Sequence, residues 1–204
     1  MILNKTITQH IVLGEVDRSE AFRYARADGK SANMEELLNK AEKELLPNVK
    51  SLVTYRIVPY SSNEEKCIIG EDCISSKSLK TAFSDAEYAV IMIATVGISA
   101  DRLIAKHERL SLSQAFMISA LANERVECLC DTFCDKLSQE LSKEGYELTR
   151  RFSPGYGDLA LELHKSIFSL LKPEKTIGVF LTESLMMTPT KSVSALIGIK
   201  RMEQ

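Results

Sequence analysis

Apolar residues recur every three or four positions between Ser111 and Lys143, which is the spacing of one face of an α-helix. That face carries Val126, Leu129, Cys130, Phe133, Leu137 and Leu141. At about 1.5 Å per residue, an unbroken helix over this segment would span roughly 50 Å. The pattern therefore predicts one long central helix that crosses the whole domain.

Two other patterns predict strands. Residues 51–61, "SLVTYRIVPYS", alternate and are rich in β-branched and aromatic residues. Residues 87–97, "EYAVIMIATVG", form a continuous apolar run, which is typical of a strand buried on both faces. Further strands are predicted in "TITQHIVLG", "EKCIIGEDCISS", "KTIGVFLTES" and "SVSALIGIK". Because helices and strands interleave irregularly, we expect an α+β fold with a mainly antiparallel sheet flanked by helices.

Shorter amphipathic segments predict additional helices. "NMEELLNKAEKELLPN" begins with Asn33 as its predicted N-cap, and "DLALELHKSIFSLLKP" begins with Asp158 in the same role. In the second helix the apolar stripe leaves out His164, so we expect that histidine to lie on the surface. With no repeat or obvious linker, residues 1–204 are interpreted as one domain, in which residues 1–50 form a helical N-terminal segment.

Composition excludes several classes of protein. The formal net charge of the 204 residues is −2, so no overall positive field favours nucleic acid or an anionic membrane. No window reaches 18 uninterrupted apolar residues, and the first ten residues lack an export signal. We therefore expect a cytoplasmic protein without a membrane or nucleic-acid partner.

The five cysteines are an odd number in a chain expected to be cytoplasmic, which argues against a disulfide framework. Cys128, Cys130 and Cys134 lie close together on the long helix, yet no histidine at a suitable spacing completes a zinc set. We predict no metal site and interpret the thiols as small packing residues. A thiol redox or metal-binding protein that uses these three cysteines is the alternative.

The stretch "RRFSPGYGD", residues 150–158, carries the most distinctive chemistry. Pro154-Gly155 is a strong turn pair, because proline sets the first corner and glycine accepts the positive φ of the second. Arg151 can hold a carboxylate through two parallel hydrogen bonds, and Tyr156 offers a ring face and a hydroxyl. The stretch is either a simple turn or a site for a zwitterionic ligand with an aromatic portion.

Several motifs together are similar to a known family. They are Arg151 with Gly155-Tyr156, Thr182-Glu183-Ser184, Met186-Met187, Pro189, and Ser192-Val193-Ser194 with Gly198. Upstream, "IATVGISADRLIAKHERLSLSQAF" and "RVECLCD" also fit. Across nearly its whole length the chain resembles the reactivation domain of cobalamin-dependent methionine synthase, in its stand-alone form.

The resemblance implies an accessory subunit that binds S-adenosylmethionine. Such a subunit would support the reductive methylation of cob(II)alamin in a methionine synthase that lacks its own reactivation domain. Cobalamin would be carried by that partner, and an electron donor such as flavodoxin would supply the reduction. The protein would then be a component of the methyltransferase rather than a catalyst alone. A different corrinoid methyltransferase is the alternative client.

The resemblance also assigns roles to residues. Arg151 would pair with the methionine carboxylate, and the backbone of Ser153 to Gly155 would bind the adenine edge. Tyr156, the predicted catalytic residue, would lie near the transferred methyl group and the corrin. Glu127 and Glu144 would face the ammonium, the sulfonium or the ribose hydroxyls.

The sequence departs from the fused enzymes in two places. Those enzymes follow Gly-Tyr with a Pro-Ala-Cys-Pro type of sequence ending in histidine, whereas this chain has Gly157-Asp158-Leu159. They also continue well beyond the Ser-Val-Ser motif, whereas this sequence ends at Gln204. We expect ligand contacts from those segments to be missing or replaced.

Overall fold

An antiparallel sheet forms the centre of the computed structural model, which describes residues 1–28 and 31–202. The strands in these ranges are β1 (Ile7–His10), β2 (Leu52–Ser62), β3 (Cys67–Ile69), β4 (Asp72–Ile74), β5 (Ala86–Thr95), β6 (Tyr146–Leu148), β7 (Phe180–Leu181), β8 (Met187–Thr188) and β9 (Ser192–Arg201). The helices are α1 (Arg18–Tyr24), α2 (Ala32–Leu45), α3 (Lys77–Ala82), α4 (Ser99–Glu108), α5 (Leu112–Ser142), α6 (Leu163–Leu171) and α7 (Pro173–Thr176).

The main sheet has the strand order β4-β3-β2-β5-β9-β6, and β1 pairs with β2 on the side away from β5. Strands β7 and β8 form a separate pair. The ladders between these strands are antiparallel. The prediction of a single α+β domain with a mainly antiparallel sheet is confirmed. In the described part of the chain, no helix is both long and apolar enough to cross a membrane.

Strand β5 is buried on both faces, as its continuous apolar run predicts. Val90 and Met92 belong to the core on the side of α5, while Ile91 and Ile93 belong to the core on the side of α3 and α6. Alternate side chains of a strand point to opposite faces, so a strand covered on both sides requires apolar residues throughout. The sheet therefore separates two apolar layers.

Helix α5 confirms the prediction of a long central helix. Its 31 residues span about 46 Å, and the Ser111 side chain caps its start by accepting a hydrogen bond from the Gln114 amide. The cap predicted for α2 is wrong. That helix begins at Ala32, before Asn33, because Ser31 takes the extended N-cap conformation and its carbonyl accepts from Met34 N–H.

The N-terminal segment lies against α5. Helices α1 and α2 pack on it, and a buried ion pair joins Arg125 and Glu124 on α5 itself. Arg125 also donates to the carbonyls of Gly14 and Glu15, at 2.8 and 3.0 Å. The Asp17 amide donates to Glu124 at 3.1 Å. Burial of this charged pair is tolerated because backbone groups of the segment satisfy its remaining hydrogen-bonding capacity.

Asp158 does not cap α6, which begins at Leu163. Its carboxylate instead accepts hydrogen bonds from the Ser76 hydroxyl and from the amides of Lys77 and Ser78, at 2.7 and 3.2 Å for the amides. These groups lie at the start of α3, so Asp158 ties the Pro-Gly stretch to a distant helix. Gly157 allows the close approach, because a Cβ there would lie 2.8 Å from Ser78 Oγ.

We expect Asp158→Ala to lower the midpoint of thermal unfolding by a few degrees. The Ser76 hydroxyl and the two amides hold the pKa of Asp158 well below its ordinary value of 3.8. The folded state therefore favours the carboxylate, and the stabilisation is present above pH 3.8 and lost as the pH falls below it. Calorimetry at neutral and acidic pH measures the difference. Asp135→Ala, which removes an exposed carboxylate, is the control, and an equal effect in both variants would contradict the assignment.

Candidate functional site

A cleft of about 860 Å³ opens at the β6–β9 edge of the sheet. Its walls come from α5, from the segment 149–156, from the start of α6, from the turn before β8 and from the start of β9. A volume of this size suits a small organic ligand. Five separate parts of the chain therefore surround one candidate binding site.

Arg151 is the central charged group of the cleft. Its Nη2 donates to Glu127 Oε2 at 2.9 Å and to Asp131 Oδ1 at 2.8 Å. The two acids are four residues apart on α5 and so lie on one face of the helix. Burial lowers the pKa of Arg151, but Cys130 and these two carboxylates raise it more, so the guanidinium stays charged.

The Pro154-Gly155 turn has the predicted geometry. The Tyr156 amide donates to the Ser153 carbonyl at 3.2 Å, and Gly155 has a φ of +90°. Ser153 and Pro154 line the cleft, whereas the Gly155 amide is already donated to the Leu159 carbonyl at 2.8 Å. Gly155 therefore shapes the turn, while its neighbours Ser153, Pro154 and Tyr156 line the cleft.

Tyr156 lies at the rim of the cleft with 71% of its surface exposed. Met186, which also lines the cleft, is exposed as well. The ring is therefore accessible both to a ligand in the cleft and to a second protein over its opening.

The structure does not bring Glu144 to the cleft. This residue follows the end of α5, and its carboxylate binds the α-ammonium of Met1. Arg151, Glu127, Ser153 and Tyr156 do line the cleft. Of the two predicted acids, Glu127 and Glu144, only Glu127 lies at the cleft, where it pairs with Arg151. The second acid at the cleft that pairs with Arg151 is Asp131.

His164 is a residue of the cleft that the apolar pattern of its helix wrongly predicts to lie on the surface. It is buried, with Nδ1 at 3.0 Å from the Leu185 carbonyl and Nε2 at 2.6 Å from Ser194 Oγ. A carbonyl only accepts, so Nδ1 carries the proton and Nε2 accepts from the serine hydroxyl. The buried residues of α6 are His164, Ile167 and Leu171, so the histidine shares the face that packs on the core.

The family model described as "Vitamin B12 dependent methionine synthase, activation domain" matches residues 60–202. The chain belongs to this family. In fold, this activation domain is similar to the solved structure of the MetH reactivation domain bound to AdoHcy, with a TM-score of 0.72 and 17% sequence identity. The match covers 98% of this chain and 80% of that one. No curated protein sequence matches the chain.

Two thiols of this activation domain, Cys130 and Cys134, are poorly suited to redox or metal chemistry. Burial raises the pKa of Cys130 to about 12 and that of Cys134 to about 11, and only a thiolate is an effective nucleophile or ligand. Across residues 1–28 and 31–202, no group of three potential metal ligands occurs. The structure therefore gives no support to the thiol alternative.

We expect His164→Ala to lower the free energy of unfolding by about 2–4 kcal/mol, because it leaves the buried Ser194 hydroxyl and the Leu185 carbonyl unpaired. Urea denaturation near neutral pH measures this, with His10→Ala as a control at an exposed histidine.

The pH dependence of stability, compared between the wild type and His164→Ala, tests whether the His164 imidazole is neutral. Burial lowers the pKa of His164 below its ordinary 6.5, so the unfolded chain takes up a proton more readily. Wild-type stability should therefore decline as the pH falls below 6.5, and His164→Ala should lack that part of the decline. Identical slopes of stability against pH in the two proteins would contradict a neutral buried imidazole.

Proposed function

We propose that this activation domain binds S-adenosylmethionine in the cleft and supports the reductive methylation of cob(II)alamin in a cobalamin-dependent methionine synthase. Family membership supports the client enzyme, and the AdoHcy bound by the MetH reactivation domain supports the class of ligand. The observation that carries the proposal is Arg151 held between two carboxylates inside a cleft of suitable size.

Arg151 would bind the carboxylate of the ligand. A guanidinium has five N–H donors, and both of the contacts to α5 leave from the single nitrogen Nη2. The side chain is about one-quarter exposed, so an incoming carboxylate can approach it from the cleft. Its planar donor edge would match two carboxylate oxygens at once, which a lysine would not do.

Glu127 and Asp131 would face the cationic groups of the ligand. Together with Arg151 they carry a formal charge of −1, and S-adenosylmethionine, with one carboxylate, one ammonium and one sulfonium, carries +1. Ligand binding would thus bring the summed charge of Arg151, Glu127, Asp131 and the ligand to zero, so no net charge would be buried in the cleft. When the ligand carboxylate accepts hydrogen bonds from the Arg151 guanidinium, Glu127 and Asp131 would become available to the ammonium and the sulfonium of the ligand.

The less polar walls would hold the rest of the ligand. Ser153, Pro154, Leu161 and the turn Leu185–Met187 all line the cleft, and the adenine would lie against them. His164 would keep these walls in place, because it joins the start of α6 to Leu185 and to Ser194. When bound, S-adenosylmethionine supplies the methyl group that traps the reduced cobalamin.

Tyr156 would mark the side on which the client docks. Its exposed ring at the rim would contact a flat corrin carried by the partner and would limit the access of water to the cleft. The partner in this proposal is a methionine synthase without its own reactivation domain, and an electron donor such as flavodoxin supplies the reduction. This domain itself would orient the ligand and the partner.

We expect Arg151→Ala to weaken S-adenosylmethionine binding by about tenfold to a hundredfold, because it removes a charge-assisted bidentate contact. Isothermal titration calorimetry of the purified protein, alone and with the corrinoid partner, measures the affinity. Arg151→Lys should recover only part of the loss, since an ammonium does not reproduce the planar donor edge.

Arg23→Ala is the matched control, because it also removes an arginine that pairs with a glutamate. Arg23 lies on α1 and does not line the cleft. We expect it to leave the affinity unchanged. Wild-type protein that does not bind S-adenosylmethionine either alone or with a corrinoid partner would refute the proposal.

We expect Tyr156→Ala to lower the rate of reductive methylation of the partner's cob(II)alamin by about tenfold or more, because the reacting groups lose their alignment. Binding of S-adenosylmethionine should change much less, since most of the ring is exposed. Stopped-flow absorbance of the cobalamin follows the rate, and Tyr156→Phe should retain most of it. Equal losses in affinity and rate would instead make Tyr156 only a part of the ligand site.

The same assay identifies the client, when the rates with several corrinoid proteins are compared.

A further inference from the structure

A basic groove of about 530 Å³ lies at the opposite edge of the sheet from the cleft, between the end of α6 and the strands β1 and β2. Three cationic side chains line it, namely Arg56, Lys172 and Lys175. Four hydroxyl groups line it as well, from Thr6, Thr8, Ser169 and Thr176. The lining contains no carboxylate among the residues that the structure describes.

The groove exists because α6 does not cover this corner of the sheet. Ile7 and Tyr55 point toward the core beneath α5, so by strand alternation Thr8 and Arg56 point to the opposite face. Farther along β2 that face is apolar and packs against α6 through residues such as Val58. The polar part of the face therefore borders a space that the domain itself leaves open.

The positive charges of the groove lack anionic partners. Within residues 1–28 and 31–202, no carboxylate forms a salt bridge with Arg56, Lys172 or Lys175. Arg56 donates to the Asn4 carbonyl through Nη2, while its buried Nε has no hydrogen-bond partner in the described part of the chain. Arg56 is partly buried, so an anion bound in the groove that it shares with the two exposed lysines would offset the cost of burying its charge.

A second groove of about 580 Å³ continues from the first and shares Arg56, Ser169 and Leu170 with it. Pro59 and Ile69 give this part an apolar wall. Its lining ends in the acidic pair Glu71 and Asp72. The combined groove is thus cationic at one end, apolar in the middle and acidic at the other, so only one end suits an anion.

We propose that this combined groove binds a phosphate monoester. The phosphate would lie among Arg56, Lys172 and Lys175, and the organic portion would lie along Leu170 and Pro59. Three cations with several hydroxyl donors match a dianion that has many acceptor oxygens better than they match a carboxylate. The proposal is independent of the cleft, because the two sites share no lining residue in the described ranges.

Amide-resolved NMR titration of the full chain tests the site, with phenyl phosphate and inorganic phosphate as probes at constant ionic strength. We expect saturable shifts at Arg56 and in the segment 169–176, with phenyl phosphate binding more tightly than inorganic phosphate because of its contacts with the apolar wall. Equal affinities for the two probes would assign the site to free phosphate and overturn the monoester proposal. The absence of saturable shifts with either probe would overturn the site itself.

Charge-removing variants identify the side chains that bind the phosphate. Arg56→Gln should weaken phenyl phosphate binding about tenfold or more. The exposed pair Lys172→Gln and Lys175→Gln should also weaken it, and this double variant keeps the test decisive if Arg56→Gln fails to fold. Lys165→Gln removes an exposed lysine of α6 that lies outside the groove, so the affinity of this variant should match that of the wild type. An equal loss in Lys165→Gln would show a diffuse charge effect and overturn the proposal.

Discussion

The packing of α5 on the sheet is the interaction on which the rest of the domain depends. Its apolar face is buried along most of its length, and Phe133 contacts Tyr55 of β2 with ring centroids 4.9 Å apart. Because that face fixes the rotation of the helix, the positions of Glu127 and Asp131 follow from it. They point to the edge of the sheet, where Arg151 meets them. The candidate ligand site is thus a consequence of how the core is packed.

The ion pairs at this edge are better suited to exchange than to stabilising the fold. Asp131 is about two-thirds exposed and Glu127 about two-fifths exposed, and ion pairs with this much access to water contribute at most about 1 kcal/mol. A ligand that offers its own carboxylate and cation can therefore replace them at little cost. The ion pair between Glu124 and Arg125 differs, since both side chains are almost fully enclosed and hold the N-terminal segment in place.

The Gly157-Asp158 pair, where the sequence departs from the fused enzymes, has a structural role. It anchors the turn to the start of α3 through the Asp158 carboxylate and through the small volume of Gly157 beside Ser78. A loop that must present Arg151 and Tyr156 in fixed directions needs such an anchor. In this chain the pair therefore holds the loop, and Arg151 and Tyr156 lie at the cleft.

Features that depend on local periodicity and local backbone preference could be predicted from the amino-acid sequence. These include the long helix α5, the doubly buried strand β5 and the Pro154-Gly155 turn. The contacts between residues far apart in the sequence were decided only by the folded chain, because such hydrogen-bond partners leave no periodic signal in the sequence. Asp158 caps α3 instead of α6, and Glu144 lies away from the cleft. His164 is buried because its ring is hydrogen-bonded to Leu185 and Ser194, two groups that lie far from it in the sequence.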